Sequence, residues 1–361
     1  MRILQVTTTS RRRGAEVFAS ELARSLVGRG HTVSTAALET PAAHGPLDFD
    51  AVGNPRRRPA SIRRLAELTS EADVALAHGG STLQPVALAA SLARRPFVYR
   101  NIGDPSFWGT ARGASLRIGL PLRRAAAVLA LYEGARDYMV RRYRLDPDRV
   151  TVAPNAVDPA GFPERTAESR ERERERLGIH NNRVVLGYLG SLSSEKRPQW
   201  ALDAAAAIPD SVLLVVGDGP LRSDLERGAS RLGDRDGVPA CRLVGAVERP
   251  DSFLAALDVL LLPSATEGIP GVLLEAALVG VPTVATDVGG VGEVVAAVGG
   301  VTAPVDGKQE FIELVKQVGT DPAAHAADRQ AVLSRYGIEA VTDTYEEVLL
   351  HVGAEPPTPR G

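Results

Sequence analysis

The stretch Ser264 to Ala277 reads S-A-T-E-G-I-P-G-V-L-L-E-A-A and follows an apolar run, Val259 to Pro263. That run has the length and composition typical of a buried parallel strand, and it stops at a proline. Pro270 and Gly271 then favour a helix start, because proline suits a first turn whose amides lack partners and glycine lets a ligand approach the backbone. A strand, a tight loop and a helix N-terminus in this order predict a phosphate-binding site.

Two carboxylates bracket the predicted site, Glu267 in the loop and Glu275 in the helix, with seven residues between them. In one continuous helix they would lie about 12 Å apart on different faces. With a loop interposed, both can face one bound molecule. The alternative is that Glu267 only caps the helix and Glu275 is a solvated charge, and two glutamates in this frame favour the binding interpretation.

The motif E-G-I-P-G-V-L-L-E-A, followed by G-V-P-T-V-A-T-D-V-G-G, resembles the retaining glycosyltransferases of family GT4, which have the GT-B fold. The resemblance implies that Glu267 contacts the transferred sugar and that Glu275 hydrogen-bonds the nucleotide ribose. It also implies that the intervening backbone binds the donor, at Gly268, Ile269, Pro270 and Gly271.

Strand and helix patterns alternate along the 361 residues, which predicts an α/β fold with parallel sheets and crossover helices. The resemblance implies two Rossmann-like domains facing across a cleft. Residues 1–160 would bind the acceptor and residues 161–336 the nucleotide sugar, and a terminal helix in 337–361 would cross back to the first domain. The Arg/Glu run at 168–177 is expected to be a solvated helix with ion pairs.

A second predicted donor loop follows the strand ending near Gly190. Gly190 and Lys196 resemble the family's G-R-L-x-x-x-K-G diphosphate loop, so Lys196 would neutralise the leaving phosphates. Ser191 replaces the usual arginine, and Arg197 compensates only if the loop folds suitably. Gly217 would let the backbone approach the base. The surrounding sequence is not G-x-G-x-x-G, which argues against a dehydrogenase.

In the first domain, candidate residues follow the strands at their carboxyl ends, where open α/β sheets bind ligands. Gly14 and Glu16 lie after the first strand, in a segment that resembles the opening of GT4 chains. The resemblance implies that this loop approaches the donor phosphates and the acceptor. His78 ends another strand, where it either hydrogen-bonds substrate or is a structural imidazole satisfied by backbone.

A third group of candidates follows the strand Phe97 to Arg100. Many GT4 enzymes carry a histidine at the position of Ile102, so that role has no counterpart in this chain. Arg100, Asp104 and Trp108 are the predicted acceptor contacts, as a charged pair and an aromatic platform. The alternative is that Arg100 and Asp104 only pair with each other.

Charge is distributed unevenly along the chain. Residues 1–158 carry 23 arginines, no lysine and 14 acidic residues, a net charge of +9, whereas the remainder carries −11. Arginine clusters at 11–13, 56–58, 63–64 and 123–124 either attract anionic lipid or an anionic acceptor, or only aid solubility. Nucleic acid is not an expected partner, because no aromatic interleaving accompanies these arginines.

The cysteine content, the apolar runs and the absence of metal-binding motifs predict where the protein is located and which cofactors it needs. Cys241 is the only cysteine, which leaves no internal disulfide, and it is expected to be buried and inert. No apolar run approaches 18 residues and no signal-peptide pattern is present, so a cytoplasmic protein is expected, with peripheral contact at the inner membrane face as a further hypothesis. Neither a metal site nor a cofactor is predicted, because no Asp-x-Asp or histidine cluster has suitable spacing.

The predicted reaction is sugar transfer from a UDP- or GDP-linked donor to an acceptor hydroxyl, by the front-face substitution that the resemblance implies. Two alternatives stay open. One is a sugar-nucleotide epimerase of similar shape, which would act on the donor alone. The other is a protein that binds nucleotide sugar without turning it over.

Overall fold

The computed structural model describes residues 1–11, 14–39, 47–53, 59–108, 114–235, 237–247 and 250–354. The arginines at 12, 13 and 56–58, for which anion binding and solubility were the alternatives, lie outside these ranges. The chain divides into two compact units. One runs from Met1 to Ala156 and resumes at Ile338, and the other runs from Val157 to Gly337.

The first unit is built on a seven-stranded parallel sheet. Its strands are β1 (Arg2–Thr9), β2 (Thr32–Glu39), β3 (Asp50–Ala51), β4 (Val74–His78), β5 (Phe97–Arg100), β6 (Ala127–Ala130) and β7 (Val150–Val152). They lie in the order β3-β2-β1-β4-β5-β6-β7. The order reverses beside β1, so the carboxyl ends of β1 and β4 form the crevice where such sheets bind ligands.

Helices cover both faces of this sheet because each strand is joined to the next by a crossover. They are α1 (Gly14–Gly28), α2 (Pro59–Glu71), α3 (Gly80–Ala93), α4 (Ala114–Arg124) and α5 (Glu133–Tyr143), with a last helix, Ile338–Ala354, from the end of the chain. In that last helix Tyr345 and Leu349 are fully buried in the core of the first unit, together with Phe18 and Leu22 of α1. The expected return of the terminal helix to the first domain is confirmed.

The second unit has a six-stranded parallel sheet. Its strands are β8 (Val184–Leu189), β9 (Ser211–Val216), β12 (Cys241–Gly245), β13 (Val259–Leu262), β14 (Thr283–Thr286) and β15 (Val301–Ala303), and a small antiparallel pair is formed by β10 (Asp234–Arg235) and β11 (Val238–Pro239). The order is β12-β9-β8-β13-β14-β15, which reverses between β8 and β13. Cys241 is buried as expected, and burial raises the pKa of its thiol to about 12.

The helices of the second unit are α6 (Ala167–Arg176), α7 (Pro198–Ala206), α8 (Arg222–Leu232), α9 (Asp251–Ala256), α10 (Gly271–Val279), α11 (Val291–Val298), α12 (Lys308–Thr320) and α13 (Arg329–Tyr336). The last helix of the chain, Ile338–Ala354, is therefore α14. Where the chain enters and leaves this unit, Val157 and Gly337 pair as a parallel bridge.

The expectation that the Arg/Glu helix is solvated throughout is wrong at Arg174, which is fully buried. Its Nη2 lies 2.6 Å from Asp258 Oδ2, and its other nitrogens donate to the backbone oxygens of Ala256, Asn181 and Arg183. A buried guanidinium is stable only when it is paired and hydrogen-bonded in this way. The helix α6 is therefore anchored to the sheet through its charged side.

No helix within the described residues has both the length and the apolarity needed to cross a bilayer.

Candidate active site

The loops that follow β8 and β13 meet at the switch point of the second sheet, since these two strands are neighbours. Each loop carries one of the predicted catalytic residues, Lys196 after β8 and Glu267 after β13. The topology therefore brings together two residues that are 71 positions apart in the chain. Ligands of open α/β sheets bind at this kind of edge.

Lys196 and Glu267 form a short ion pair, with 2.6 Å between Lys196 Nζ and Glu267 Oε1. The glutamate side chain is 8% exposed and the lysine 28%. Ser264 is buried and donates its hydroxyl to the same Glu267 Oε1 over 2.7 Å. A partly buried carboxylate with two such partners is held in one orientation rather than left to rotate in solvent.

Both of these contacts use one oxygen of the carboxylate. Within the described residues, Glu267 Oε2 makes no hydrogen bond or ion pair. An ionised oxygen at a partly buried position ordinarily has a donor. Glu267 therefore presents a fixed acceptor that is available to the hydroxyl of a bound molecule.

The two loops are also joined through their backbones. Ala265 N–H donates to the carbonyl of Glu195 over 2.7 Å, and the phenol of Tyr188 donates to the carbonyl of Ser191 over 2.7 Å. Burial, together with the negative charges of Glu267 and Glu195, raises the pKa of Tyr188, so this phenol stays protonated and keeps donating. The turn around Ser191 is thus fixed next to the ion pair.

Gly217 packs closely against the backbone of Gly190, and this gives a packing reason for glycine at position 217. A Cβ on Gly217 would lie 1.9 Å from the Gly190 carbonyl oxygen, and Gly217 also has a φ of +142°. Gly219 is constrained similarly, 2.6 Å from the Leu192 oxygen. These glycines let the loops after β8 and β9 share one narrow edge of the sheet.

Helix α10 begins directly after this site. Its N-cap is Pro270, whose side chain has no acceptor. Within the described residues the Glu267 carboxylate contacts Ser264 and Lys196 and no amide of this helix, so the alternative in which Glu267 caps the helix is wrong. Gly271, the first residue of this helix, is exposed, and Glu275 follows it by one turn. Glu275 Oε1 lies 3.5 Å from the position of a Cβ on Gly271, so its carboxylate folds back toward the helix start. An uncapped first turn attracts an anion.

The backbone of Gly289 lies directly against the backbone of Glu267, so replacing Gly289 tests whether this contact positions Glu267. Its φ is +57°, and an added Cβ would lie 2.0 Å from the Glu267 carbonyl oxygen. We expect Gly289→Ala to displace Glu267 and to lower turnover by at least about tenfold, because misplacement of a reacting group by about 1 Å can cost roughly 10²-fold. Gly280→Ala is the matched control, since Gly280 also has a positive φ, +84°, but nothing lies within 4 Å of its Cβ position.

Turnover and melting temperature are measured for both variants. Each should melt somewhat lower, because alanine at positive φ is strained. Only Gly289→Ala should lose turnover per folded molecule. Equal turnover in the two variants would contradict the role of Gly289 in positioning Glu267.

Arg197, the candidate replacement for the missing arginine, has partners of its own. Its guanidinium carbon lies 4.8 Å from the centre of the Trp200 ring, and it donates to the carbonyl of Val305. Asp306 Oδ1 is a further, exposed partner at 3.5 Å. The structure does not bring Arg197 into contact with the Lys196–Glu267 pair.

In the first unit Arg100, a predicted acceptor contact, is fully buried. Its Nε donates to Tyr345 Oη over 2.8 Å, its Nη2 donates to Asn155 Oδ1, and the Phe18 ring centre lies 3.9 Å from its guanidinium carbon. Asn155, three residues after β7, is therefore a further partner of this arginine. The cluster ties α1 and α14 to β5.

His78 joins the same cluster through side chains rather than through backbone. Nε2 lies 2.8 Å from Gln5 Oε1 and Nδ1 lies 3.1 Å from an Arg100 nitrogen. Since the guanidinium can only donate, the assigned tautomer has a proton on Nε2 and accepts at Nδ1. Burial and the Arg100 charge hold the pKa of His78 well below its ordinary value, so the ring is neutral.

The remaining first-unit candidates are spread apart. Asp104 caps a short 3-10 helix by accepting from Ser106 N–H at 2.8 Å, so the alternative in which it pairs with Arg100 is wrong. Trp108 packs against Tyr99, with 5.9 Å between ring centres. Glu16 is buried in the first turn of α1, whereas Gly14 is exposed with open space at its Cβ position.

Comparison with protein families identifies the chain. A family model described as "Glycosyltransferase Family 4" matches residues 12–160, and one described as "Glycosyl transferases group 1" matches residues 183–321. The two matches cover most of both units. The chain belongs to the GT4-type glycosyltransferases.

Relatives of this GT4 chain bear names of sugar transferases. The 2-deoxystreptamine glucosyltransferase of Streptomyces kanamyceticus is 34% identical over 216 residues, which is 58% of this chain and 55% of the relative. A GDP-mannose-dependent monoacylated alpha-(1-6)-phosphatidylinositol monomannoside mannosyltransferase of Corynebacterium glutamicum is 27% identical over 78% of this chain and 77% of its own length. Several relatives are matched over only 55% to 62% of their lengths.

A solved structure establishes the fold of this GT4 chain. Anabaena HepE, crystallised with UDP and glucose, superposes with a TM-score of 0.82 at 21% identity, over 97% of this chain and 100% of that one. The predicted α/β architecture of GT-B type is confirmed.

Sequence reasoning missed three residues that surround the Lys196–Glu267 pair, namely Ser264, Tyr188 and Gly289. Ser264 begins the quoted stretch, yet a lone serine after a strand does not by itself indicate a function. Tyr188 is inside β8, where an aromatic residue is expected only to pack. Gly289 lies in the turn after β14, and its close approach to Glu267 depends on the packing of β14 beside β13.

Proposed function

We propose that the chain transfers a hexose from a UDP- or GDP-linked donor to an acceptor hydroxyl, with retention of configuration at the anomeric carbon. The observation that carries this proposal is Glu267, whose Oε2 is held ready for a sugar hydroxyl while Oε1 binds Lys196. Family membership supports transfer over the epimerase and over binding without turnover. Both donor types are supported by similar proteins, since one relative is named as GDP-mannose-dependent and one similar structure contains UDP.

In the proposed reaction the acceptor oxygen forms a bond to the anomeric carbon on the face from which the phosphate oxygen departs. The acceptor proton moves to that phosphate oxygen, so the leaving group is its own base. Glu267 orients the sugar, and the helix amides from Gly268 to Gly271 stabilise the departing phosphate. Glu275 binds the ribose.

Lys196 has two partners in this scheme. In the structure its ammonium neutralises Glu267, and it is exposed enough to move. A bound diphosphate competes for the ammonium, and the released Glu267 oxygen then becomes available to the sugar. Since Lys196 supplies the positive charge, we expect turnover to persist in EDTA.

The second unit is proposed to bind the donor and the first unit the acceptor. Further donor contacts are proposed at Gly14, Gly190, Gly217, Ile269, Pro270 and, if its loop rearranges, Arg197. Acceptor contacts are proposed at Glu16, Asp104 and Trp108, with His78 and Arg100 acting from the buried cluster that shapes this edge of the first sheet.

A thermal-shift panel of nucleoside diphosphates tests donor binding. We expect UDP or GDP to raise the melting temperature clearly, because a ligand at 100 times its Kd adds about 2.7 kcal/mol of stability. Lys196→Ala should weaken this shift, while Lys316→Ala, which breaks an exposed Lys–Glu pair of 2.8 Å, should not. If none of the nucleotides shifts the wild-type melting curve, the donor site is misassigned.

Contact with an anionic membrane surface is part of the proposal. Leu116 and Leu120 lie one turn apart on α4 and are 63% and 48% exposed, and Arg117 and Arg124 on the same helix are exposed. Arginines near a surface each add about 1 kcal/mol of attraction to anionic lipid. A cytoplasmic location is proposed with it, supported by the free thiol of Cys241.

Cosedimentation with phosphatidylglycerol vesicles tests this contact. We expect binding at low salt, release at high salt, and loss of binding when Leu116 and Leu120 are both changed to glutamine. Leu350→Gln, at an exposed leucine on α14, is the control. Absence of binding at low salt would remove the membrane contact.

A further inference from the structure

A cavity of about 440 Å³ lies in the first unit, beside the carboxyl end of β5. Its walls come from the start of α3, from β5 with the loop after it, and from α4. They comprise Gly80, Leu83, Gln84, Tyr99, Trp108 and Arg117, with Ile118. The volume is within the range of small-molecule sites, which combine apolar and aromatic walls with a few polar groups.

Unpartnered polar groups lie in and beside this cavity. Tyr99 lines it and is fully buried, and its hydroxyl has no hydrogen-bond partner within the described residues. Asn101, the residue after β5, is also fully buried, and neither of its amide atoms has a described partner, although it is not among the residues that line the cavity. Each such group costs roughly 1 to 3 kcal/mol when nothing satisfies it. Polar groups left unpaired at a cavity point to a ligand that pairs them.

The aromatic walls restrict the shape of that ligand. Trp108 stands nearly perpendicular to Tyr99, at 75°, and its other side packs on Tyr143. Two aromatic side chains meeting at such an angle offer apolar surface to a flat or ring-shaped molecule. An alkyl chain would pack against the aromatic rings but would leave the Tyr99 hydroxyl unpaired.

Further donors stand at the cavity wall. Arg117 is exposed, and its guanidinium has no hydrogen bond or ion pair within the described residues. Gln84 is partly buried and uses its amide nitrogen only in a long contact of 3.3 Å to the Arg117 carbonyl. These groups can donate to oxygens of a ligand that fills the cavity.

We propose that this cavity binds a polyhydroxylated six-membered ring, a pyranose or a cyclitol, with the ring against Trp108 and its hydroxyls bonded to Tyr99, Gln84 and Arg117. Assigning that ring to the acceptor rests on the proposed transferase function. Ring binding itself does not, because it requires neither donor nor turnover.

Saturation-transfer NMR without donor tests the proposal, with methyl α-D-glucopyranoside, methyl α-D-mannopyranoside and myo-inositol as probes. We expect at least one ring to bind wild-type protein, binding to vanish in Trp108→Ala, and Kd to rise about three- to tenfold in Tyr99→Phe for one lost hydrogen bond. Tyr143→Phe is the control, since Tyr143 contacts Trp108 from outside the cavity.

Melting curves distinguish a Tyr99 hydroxyl that binds a ligand from one that stabilises the fold. Tyr99→Phe should melt at or above the wild-type temperature, because its hydroxyl has no partner to lose. A melting temperature several degrees lower, binding that persists in Trp108→Ala, or no binding by any of the three rings would each overturn the proposal. UDP or GDP stabilisation in a protein that binds no ring would leave the donor site intact and reject only this cavity.

Discussion

Glu267→Gln is expected to lower kcat by about 10²- to 10³-fold, the range found when one group that stabilises or orients a transition state is removed. Glutamine keeps the shape of the side chain and its hydrogen bond from Ser264, but it loses the charge that pairs with Lys196 and that is proposed to orient the sugar. Nucleotide affinity should change little, because the proposed nucleotide contacts lie on Lys196, the helix amides and Glu275.

The readout is release of nucleoside diphosphate from UDP- and GDP-sugars, including the slow transfer to water that needs no acceptor. Glu313→Gln is the matched control, since Glu313 forms an exposed Glu–Lys pair of similar length. A Glu267→Gln protein that binds nucleotide normally and turns over at the wild-type rate would reduce the ion pair to a structural contact.

Asp258→Ala is expected to destabilise the second unit by about 3 to 5 kcal/mol, the cost of leaving a buried charge without its partner. Arg174 is fully buried, and Asp258 is its only charged partner within the described residues. The same carboxylate accepts from Val185 N–H at 2.8 Å and from Arg170, so one substitution frees α6 from the edge of β8. Urea unfolding measures the loss.

Asp224→Ala is the control for this prediction. Asp224 also pairs with an arginine of the second unit, Arg227, but both side chains are more than half exposed. Exposed pairs contribute little, so its loss should hardly move the transition. If both variants unfold at the same urea concentration, the buried pair does not hold α6 in place.

The same pair predicts acid sensitivity. Burial opposes ionisation of Asp258, but the Arg174 charge and the hydrogen bonds from Val185, Arg174 and Arg170 outweigh it and hold the pKa below its usual value of 3.8. A lowered pKa stabilises the fold fully above the unfolded-state value, and this contribution is lost as pH falls through the folded-state value. Wild-type stability should therefore decline below about pH 4 more steeply than that of Asp258→Ala.

Sequence patterns located the donor motif but not the buried charges. The segment from Val259 to Gly271 is informative because an apolar strand, a glycine-bearing loop and a helix start occur in immediate succession. Arg174 could not be predicted to point inward, since a run of alternating Arg and Glu has no apolar period that marks a buried face. Its partner Asp258 is 84 positions away.

Arg100 illustrates the same limit in the first unit. Its predicted role as an acceptor contact rested on a position at the end of a strand, yet its partners are Tyr345, 245 positions further on, and Asn155. The sequence also gives no sign that the Tyr99 hydroxyl lacks a partner, because this depends on which side chains pack around it in the folded protein. Tertiary packing determines which polar side chains are buried and which of them are paired. Motif spacing indicates only where the loops begin.

A crystal structure of the chain with bound UDP or GDP tests the central claim most directly. We predict a phosphate at the first turn of α10 within hydrogen-bond distance of the Gly271 amide, Lys196 Nζ moved from Glu267 to the diphosphate, and the ribose hydroxyls on Glu275. A nucleotide bound elsewhere, or one bound here with Glu275 turned away and Lys196 still on Glu267, would contradict the roles assigned to all three side chains.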